Sequence, residues 1–180
     1  MKTIILYGSR YGATQKYAQE LASRLGCSAI SLDKAGPEDV KDCGCVVIGG
    51  GLYANKAVGS KAVAKLMPHL AGKHVAVFTV GITPPNNYEA IRVGWRQSYP
   101  ALVKQDADFF HLLGTLDPEN LSWLHRTTLG ILQKSLRKRA GKDLTQGEWI
   151  MLDALENPTR ELRPNAVEPI AELVRSWEKG

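Results

Sequence analysis

The octapeptide YGSRYGAT, residues 7–14, decides how this 180-residue chain folds. The apolar run TIILY leads into it, and residues 13–25 carry apolar side chains at helical spacing. A loop that joins a strand to a helix presents free backbone N–H groups and the positive end of the helix dipole. Glycine lets the backbone approach an anion closely, and the hydroxyls of Ser9 and Thr14 add donors. The pattern S-x-x-G-x-T therefore predicts a phosphate-binding loop; the alternative is an ordinary βα turn with a hydroxyl cap.

Apolar runs separated by helical patterns organise the rest of the chain. The runs are continuous rather than alternating, which is typical of strands covered on both faces in a parallel sheet. Strict alternation of strands and helices predicts a doubly wound α/β fold, and five parallel strands with a phosphate loop after the first suit the order 2-1-3-4-5. The predicted strands are residues 3–7, 27–32, 45–49, 74–79 and 109–113, and the predicted helices are 13–25, 60–70, 88–103 (interrupted at Pro100) and 165–177.

Length and composition predict one domain, residues 1–180, with a helical insertion at 115–162. A few loop residues would suffice between the fifth strand and the last helix. Asp117-Pro118-Glu119 has the residues of a helix start, and T-Q-G-E from Thr145 is a capping box that opens a second helix. The predicted apolar stripe of the first insertion helix is Leu121, Leu124, Thr128, Ile131, Leu132, Ser135 and Leu136.

Two further loops follow predicted strands. GGGLYANKA, residues 49–57, has three glycines that would bring the backbone close to a flat group, and Tyr53 adds an aromatic face. TVGITPPNNY, residues 79–88, forms a stiff loop whose Tyr88 is either a second aromatic contact or the start of a core-facing helix. Since ligands of doubly wound sheets bind at the carboxyl ends of the strands, these loops predict one shared site. The first loop lacks both the Walker ending G-K-[ST] and the G-x-G-x-x-G spacing.

YGSRYGATQKYA and VVIGGGLYANK together resemble the flavodoxin family. More narrowly, they resemble the flavodoxin-domain branch that includes menaquinone-dependent protoporphyrinogen dehydrogenase. The family's phosphate motif T/S-x-T/S-G-x-T falls on residues 9–14, with departures at Tyr11 and Ala13. The resemblance covers residues 1–115 and the last helix, and it implies a flavodoxin-like fold.

The resemblance also implies FMN as the cofactor. Its phosphate would lie in the first loop and its isoalloxazine ring between the second and third loops. The expected cofactor-binding residues are Ser9, Arg10, Tyr11, Gly12, Ala13, Thr14, Gly50, Gly51, Leu52, Tyr53, Ala54, Asn55, Thr79, Val80, Gly81 and Ile82.

No protein group is arranged for catalysis of its own. The three cysteines have no spacing typical of zinc sites and are expected to be reduced and buried. The four histidines show neither H-E-x-x-H nor H-x-H spacing, so no metal site is expected. His74 and His111 lie in predicted strands and are expected to be satisfied core histidines. Electron chemistry would then belong to the flavin.

The net charge is +5, and the charged residues of 132–142 are all basic. Residues 121–139 therefore suit peripheral contact with an anionic membrane, docking of a carboxylated substrate or an acidic redox partner, or a helix packed on its own sheet. No aromatic platform supports nucleic-acid binding. Apolar runs are too short for a membrane span or a signal peptide. A cytoplasmic protein is expected, peripheral to the inner membrane face if that contact forms.

The leading hypothesis is an FMN-dependent oxidoreductase that moves electrons between an organic substrate, of the quinone or porphyrinogen class, and an acceptor. One alternative is an FMN electron carrier that docks a protein partner. Another is a non-redox binding module without flavin, which the departures at Tyr11 and Ala13 would allow. The basic charge predicts a flavin that is less reducing than the flavin of an acidic carrier flavodoxin.

Overall fold

The computed structural model describes residues 1–53, 55–115, 123–141, 144–157 and 162–179, and for 123–125 the description covers the backbone alone. Five parallel strands form one sheet in the order β2-β1-β3-β5-β6. Since β4 is a short antiparallel addition to β3, the predicted order of the parallel strands and the α/β fold class are confirmed. The strands are β1 Thr3–Gly8, β2 Ser28–Ser31, β3 Cys45–Tyr53, β4 Lys56–Ala57, β5 His74–Gly81 and β6 Asp108–Leu113.

Helices cover both faces of the sheet. Proline sets several of their ends, because it has no backbone N–H to donate to the carbonyl four residues earlier. Pro68 ends the third helix at Leu66, after which a 3-10 turn spans Met67–His69, and Pro100 separates the fourth helix from the fifth. The helices are α1 Ala13–Leu25, α2 Pro37–Lys41, α3 Ser60–Leu66, α4 Tyr88–Ser98, α5 Pro100–Lys104, α6 Trp123–Arg139, α7 Gln146–Glu156 and α8 Glu168–Lys179.

Two apolar layers sandwich the sheet, and alternate strand residues supply each of them. Ile5 and Val47 face the layer formed with α1 and α8, whereas Leu6 and Ile48 face the layer formed with α3 and α5. Because both faces are covered, each strand needs apolar residues in succession, which explains the continuous runs in the sequence. The covered faces leave the carboxyl ends of the strands as the place for a site.

The insertion helices differ from their predicted packing. Of the described stripe residues on α6, Leu136 is buried, but Ile131 is 66% exposed. The predicted start at residues 117–119, together with Leu121 and the side chain of Leu124, lies outside the described residues. Helix α7 begins behind the predicted Thr145 cap. The assignment of 115–162 as an insertion stays a prediction.

Ion pairs join α6 to α7 and use part of the basic run. Arg137 pairs with Glu156 at 2.7 Å, and Arg139 pairs with Glu148 at 2.6 Å. These arginines therefore have partners within the chain. Membrane contact through 121–139 stays a prediction. None of the described helices combines the length and apolar character that crossing a bilayer requires.

Candidate functional site

The first loop leaves β1 and enters α1 with an unusual backbone turn. Gly12 has φ 88°, a left-handed conformation that favours glycine. Its N–H donates to Ser9 Oγ at 3.1 Å, while no side chain caps α1. The first-turn N–H groups of α1 have no partner within the helix, so they are available to an anion. The predicted phosphate loop therefore has the geometry that its sequence pattern requires.

The three glycines predicted to open the second loop lie instead within β3, which continues to Tyr53, and they have different neighbours. A Cβ on Gly49 would lie 2.3 Å from the Phe78 ring, and one on Gly50 would lie 2.3 Å from the Tyr99 hydroxyl. Both positions are thus glycine because the protein's own aromatic side chains approach the backbone there. This differs from the expectation of a flat ligand against all three glycines. At Gly51 a Cβ would meet Tyr53 at 2.9 Å.

Tyr53 connects the second loop to the first. Its ring packs edge-on against Tyr11 with centroids 5.3 Å apart, and the Arg10 guanidinium carbon lies 5.7 Å from its centroid. Burial raises the pKa of the Tyr53 phenol to about 12, with Arg10 opposing the shift. Tyr53 is therefore a neutral aromatic surface at physiological pH, fixed by residues of the phosphate loop.

His111 on β6 holds the third loop, 82–87. Its Nε2 lies 2.9 Å from the Thr83 carbonyl oxygen and its Nδ1 lies 2.8 Å from Thr79 Oγ1. Burial lowers the pKa of the imidazole to about 4, although the hydrogen bond to Thr83 opposes that shift. The expectation of a satisfied histidine is confirmed for His111. It is wrong for His74, which is exposed and stacks on Trp177 with ring centroids 5.0 Å apart.

A cavity of about 620 Å³ lies where the three loops meet, at the carboxyl edge of the sheet. This volume is in the range of small-molecule and cofactor sites. Half of the residues predicted to bind the cofactor line it. They are Tyr11, Ala13, Leu52, Tyr53, Asn55, Val80, Gly81 and Ile82.

Other predicted site residues lie outside the cavity wall. Thr79 is fully buried beneath it and bonds to Trp95 and His111, and Gly50 faces the opposite layer. Ala54 lies outside the described residues. Ser9, Arg10, Gly12, Thr14 and Gly51 lie in or next to the phosphate loop without lining the cavity. A cofactor role for any of these residues stays a prediction.

The outer wall of the cavity comes from α6 and α7, and none of the residues that they contribute was predicted to line a ligand site. Helices α6 and α7 contribute Thr128, Leu129, Gln146, Gly147, Ile150 and Met151. We call these six residues the roof. The sequence did contain the Thr145 capping box, which predicts where α7 begins. It does not predict which part of the protein α7 packs against. The other lining residues missed are Thr83, Asn87, Ala90, Gly114 and Thr115.

The described lining of the cavity contains no Asp, Glu, Lys, Arg or His. Charged residues make up 23% of the chain, so a wall of nineteen neutral residues is a marked local departure. An uncharged wall cannot offset the desolvation cost of a charged ligand. The described lining therefore offers a neutral, mainly apolar surface.

Other candidate groups have structural roles. Tyr88 begins α4 as predicted, but its side chain is exposed, packs edge-on against Trp95 and lies under Arg92. Cys43 and Cys45 are buried and reduced, and burial raises the pKa of Cys45 to about 12. No cluster of metal-ligating side chains occurs within the described ranges.

A doubly wound sheet with an uncapped helix after its first strand and an apolar cavity at its carboxyl edge is an arrangement typical of α/β domains that bind phosphorylated ligands. The chain belongs to the flavodoxin-domain family, whose model matches residues 4–143. Proteins of this family bind flavin.

Solved structures with a similar chain arrangement have low sequence identity to this protein. A flavodoxin from the domain Archaea is 14% identical over 89% of this chain and 100% of that one, with a TM-score of 0.45. Flavodoxin 2 from Bacillus cereus is 20% identical over 63% and 84%, with a TM-score of 0.48. The Trp repressor binding protein from Bacillus subtilis is 16% identical over 63% and 83%, with a TM-score of 0.47. A comparison with curated proteins found no match.

Proposed function

We propose that the chain is an FMN-dependent oxidoreductase whose organic substrate is neutral and of the quinone class. The observation that carries this proposal is the roof, which turns the flavin edge of the fold into a cavity whose described lining is uncharged. A cavity of this kind encloses a small molecule beside the cofactor and excludes water from it. A carrier that docks a protein partner has no need of such an enclosure.

The residues present fit FMN at both ends. The uncapped start of α1 and the left-handed Gly12 would receive the phosphate. Leu52, Tyr53 and Ile82 would offer apolar and aromatic contacts to the ring. When bound, FMN supplies hydride and one-electron chemistry, while the chain's residues position the ring and enclose the substrate.

The lack of charge favours a quinone over a porphyrinogen. A quinone is a neutral ring that takes up two electrons and two protons to become a neutral hydroquinone. A porphyrinogen carries propionate groups, and the described lining offers no cation to pair with them. The resemblance to the protoporphyrinogen dehydrogenase branch therefore supports the flavin chemistry of the proposal more than that substrate.

Gly147 allows a direct test of the roof. Gly147 lines the cavity, and a Cβ at this helical position would have no neighbour within 4 Å, so a larger side chain fits at the cavity edge without a backbone clash. We expect Gly147→Phe to slow anaerobic oxidation of the reduced, FMN-loaded protein by menadione about tenfold or more, because the quinone is displaced from the ring. FMN affinity, measured by flavin fluorescence, should change less than about threefold, well under 1.4 kcal/mol.

Gly130→Phe is the matched control. Gly130 is also helical and also has open space at its Cβ, but it does not line the cavity. It should leave both the oxidation rate and the FMN affinity unchanged. Equal menadione rates for the two variants and the parent would show that the roof does not hold the substrate. Failure of the parent to bind FMN would reject the proposed function itself.

A further inference from the structure

A chain of hydrogen bonds crosses the edge of the sheet beside the cavity. Trp95 Nε1–H donates to Thr79 Oγ1 at 2.8 Å, Thr79 Oγ1 lies 2.8 Å from His111 Nδ1, and His111 Nε2 lies 2.9 Å from the Thr83 carbonyl oxygen. An indole N–H can only donate and a carbonyl oxygen can only accept, so both ends of the chain have a fixed direction. The neutral His111 ring therefore carries its proton on Nε2, and the Thr79 hydroxyl donates to Nδ1 at 2.8 Å, with the Phe110 carbonyl oxygen at 3.4 Å as its more distant acceptor.

The register of β5 and β6 places the His111 imidazole beside the end of β5, next to the third loop. Thr79 of β5 pairs with His111 of β6, and Gly81 follows two residues later along β5. A Cβ on Gly81 would lie 3.3 Å from His111 Cε1, so the ring lies along the backbone at that point. The Nε2–H then reaches the first residues of the third loop.

The third loop has few attachments of its own. Ile82, Thr83 and Asn87 line the cavity, and the Asn87 N–H donates to the Pro84 carbonyl at 2.9 Å to close the turn. Within the described part of the chain, the bond from His111 to Thr83 is the one side-chain hydrogen bond that connects residues 82–87 to the sheet. Loss of that bond would detach the loop from the sheet, so its internal turn, and with it the Asn87 N–H, would open more often.

We propose that His111 is a positioning residue that holds loop 82–87 against the cavity through its Nε2–H, in a tautomer set by Thr79. The loop in turn fixes the wall on which the flavin ring would lie. The clamp itself follows from the hydrogen bonds, whereas its effect on flavin rests on the proposed function. A fixed wall favours ligand binding because less conformational freedom is lost when the ligand enters.

The tautomer can be measured in the unaltered protein. Nitrogen-15 NMR of the imidazole should show a protonated Nε2 and an unprotonated Nδ1 throughout pH 5–8. Burial, which lowers the pKa of His111 to about 4, keeps the ring neutral over this range. A proton on Nδ1, or titration near the ordinary histidine value of about 6.5, would overturn the proposal. This measurement needs no variant and no cofactor.

Two substitutions test the hydrogen bonds of the two ring nitrogens separately. The amide nitrogen of glutamine lies near the position of Nε2, so His111→Gln keeps a donor for the Thr83 carbonyl oxygen. The amide of asparagine lies near Nδ1, so His111→Asn keeps a partner for Thr79 but does not reach Thr83. In the apo protein, exchange of the Asn87 amide should be about tenfold faster in His111→Asn than in the parent, as loss of one hydrogen bond allows. His111→Gln should stay close to the parent.

The same pair tests the link to flavin. His111→Asn should bind FMN about fivefold to tenfold more weakly than the parent, and His111→Gln within about twofold, again for one hydrogen bond. Equal exchange and affinity in all three proteins would overturn the proposal, as would equal loss in both variants. A parent that binds no FMN would reject the proposed function, while tautomer and exchange would still decide whether His111 holds the loop.

Discussion

Two buried tyrosines have similar burial but opposite hydrogen bonding. Tyr17 and Tyr99 are both 2% exposed. The Tyr17 hydroxyl donates to the Leu113 carbonyl at 3.0 Å and accepts from the Arg163 N–H at 3.2 Å. The Tyr99 hydroxyl has no hydrogen-bond partner among the described residues, and burial raises its pKa. The phenolic oxygen should therefore stabilise the fold at Tyr17 but not at Tyr99.

Tyr17→Phe should lower the free energy of unfolding by about 1–3 kcal/mol, because it leaves a carbonyl and an N–H without their partner. Tyr99→Phe should be neutral or raise it by about 1 kcal/mol, because the parent buries an unpartnered hydroxyl. Urea unfolding of the parent and both variants measures the difference. Each variant serves as the control for the other, since both lose one oxygen from a buried ring. A Tyr99→Phe variant as destabilised as Tyr17→Phe would contradict this assignment.

Residue types in the sequence predicted some site features and not others. The turn from Ser9 to Gly12 at the start of α1 could be predicted, because a left-handed backbone conformation before a helix favours glycine. Gly49 and Gly50 were read as ligand contacts, but Phe78 and Tyr99 are what approach them. A glycine shows that something comes close to the backbone. It does not show whether that neighbour is a ligand or a distant part of the same chain.

At the scale of elements, the capping box stabilises the first turn of α7. Gln146 and Gly147 of that turn belong to the roof, so the capping box also holds part of the roof in place. Thr145 Oγ1 accepts from the Glu148 N–H at 3.3 Å, and Glu148 accepts from the Thr145 N–H at 2.8 Å. These bonds, together with Arg139, lower the pKa of Glu148 to about 2. Thr145→Ala should weaken the first turn of α7 by about 1 kcal/mol. Hydrogen exchange should then become faster at residues 148–150 by about tenfold or less.

Ser135→Ala is the control for this change, because Ser135 is exposed within α6 and caps no helix. It removes a hydroxyl of similar size from the neighbouring helix and should leave exchange in α7 unchanged. If the Thr145 variant exchanged like the parent, the capping box would not hold the roof. Faster exchange in α1 as well would indicate general destabilisation instead of a local effect.

Elements were predictable where local chemistry alone determines them. Helix α1 has its predicted bounds, and Pro100 divides α4 from α5 as expected. The strand β4 was missed because two residues, Lys56–Ala57, are too few for any periodic pattern. The roof was missed because tertiary packing decides which face of α6 and α7 covers the cavity. Periodicity cannot show this.

For the whole molecule, alternation of continuous apolar runs and helices predicted the parallel sheet, and the phosphate loop after the first strand was needed to predict the strand order. The charge distribution adds a property that no single element carries. The chain has a net charge of +5, while the described cavity lining is neutral. A positive electrostatic potential at the cavity stabilises the reduced, negatively charged form of a bound ring relative to its oxidised form. The midpoint potential of the FMN-loaded protein should therefore be higher than that of an acidic carrier flavodoxin.

The effect of the net charge on the midpoint potential should depend on salt in a predictable direction. Salt screens the field of the exposed cations, so the midpoint potential should fall as ionic strength rises, whereas for an acidic carrier it should rise. Arg10 lies on Tyr53, which lines the cavity, so Arg10→Gln should also lower the potential and Arg10→Lys should largely preserve it. Potentiometric titration at low and high salt measures both effects. A potential that rises with salt would mean that charges near the ring, and not the net charge of the chain, determine how strongly the bound flavin reduces its substrate.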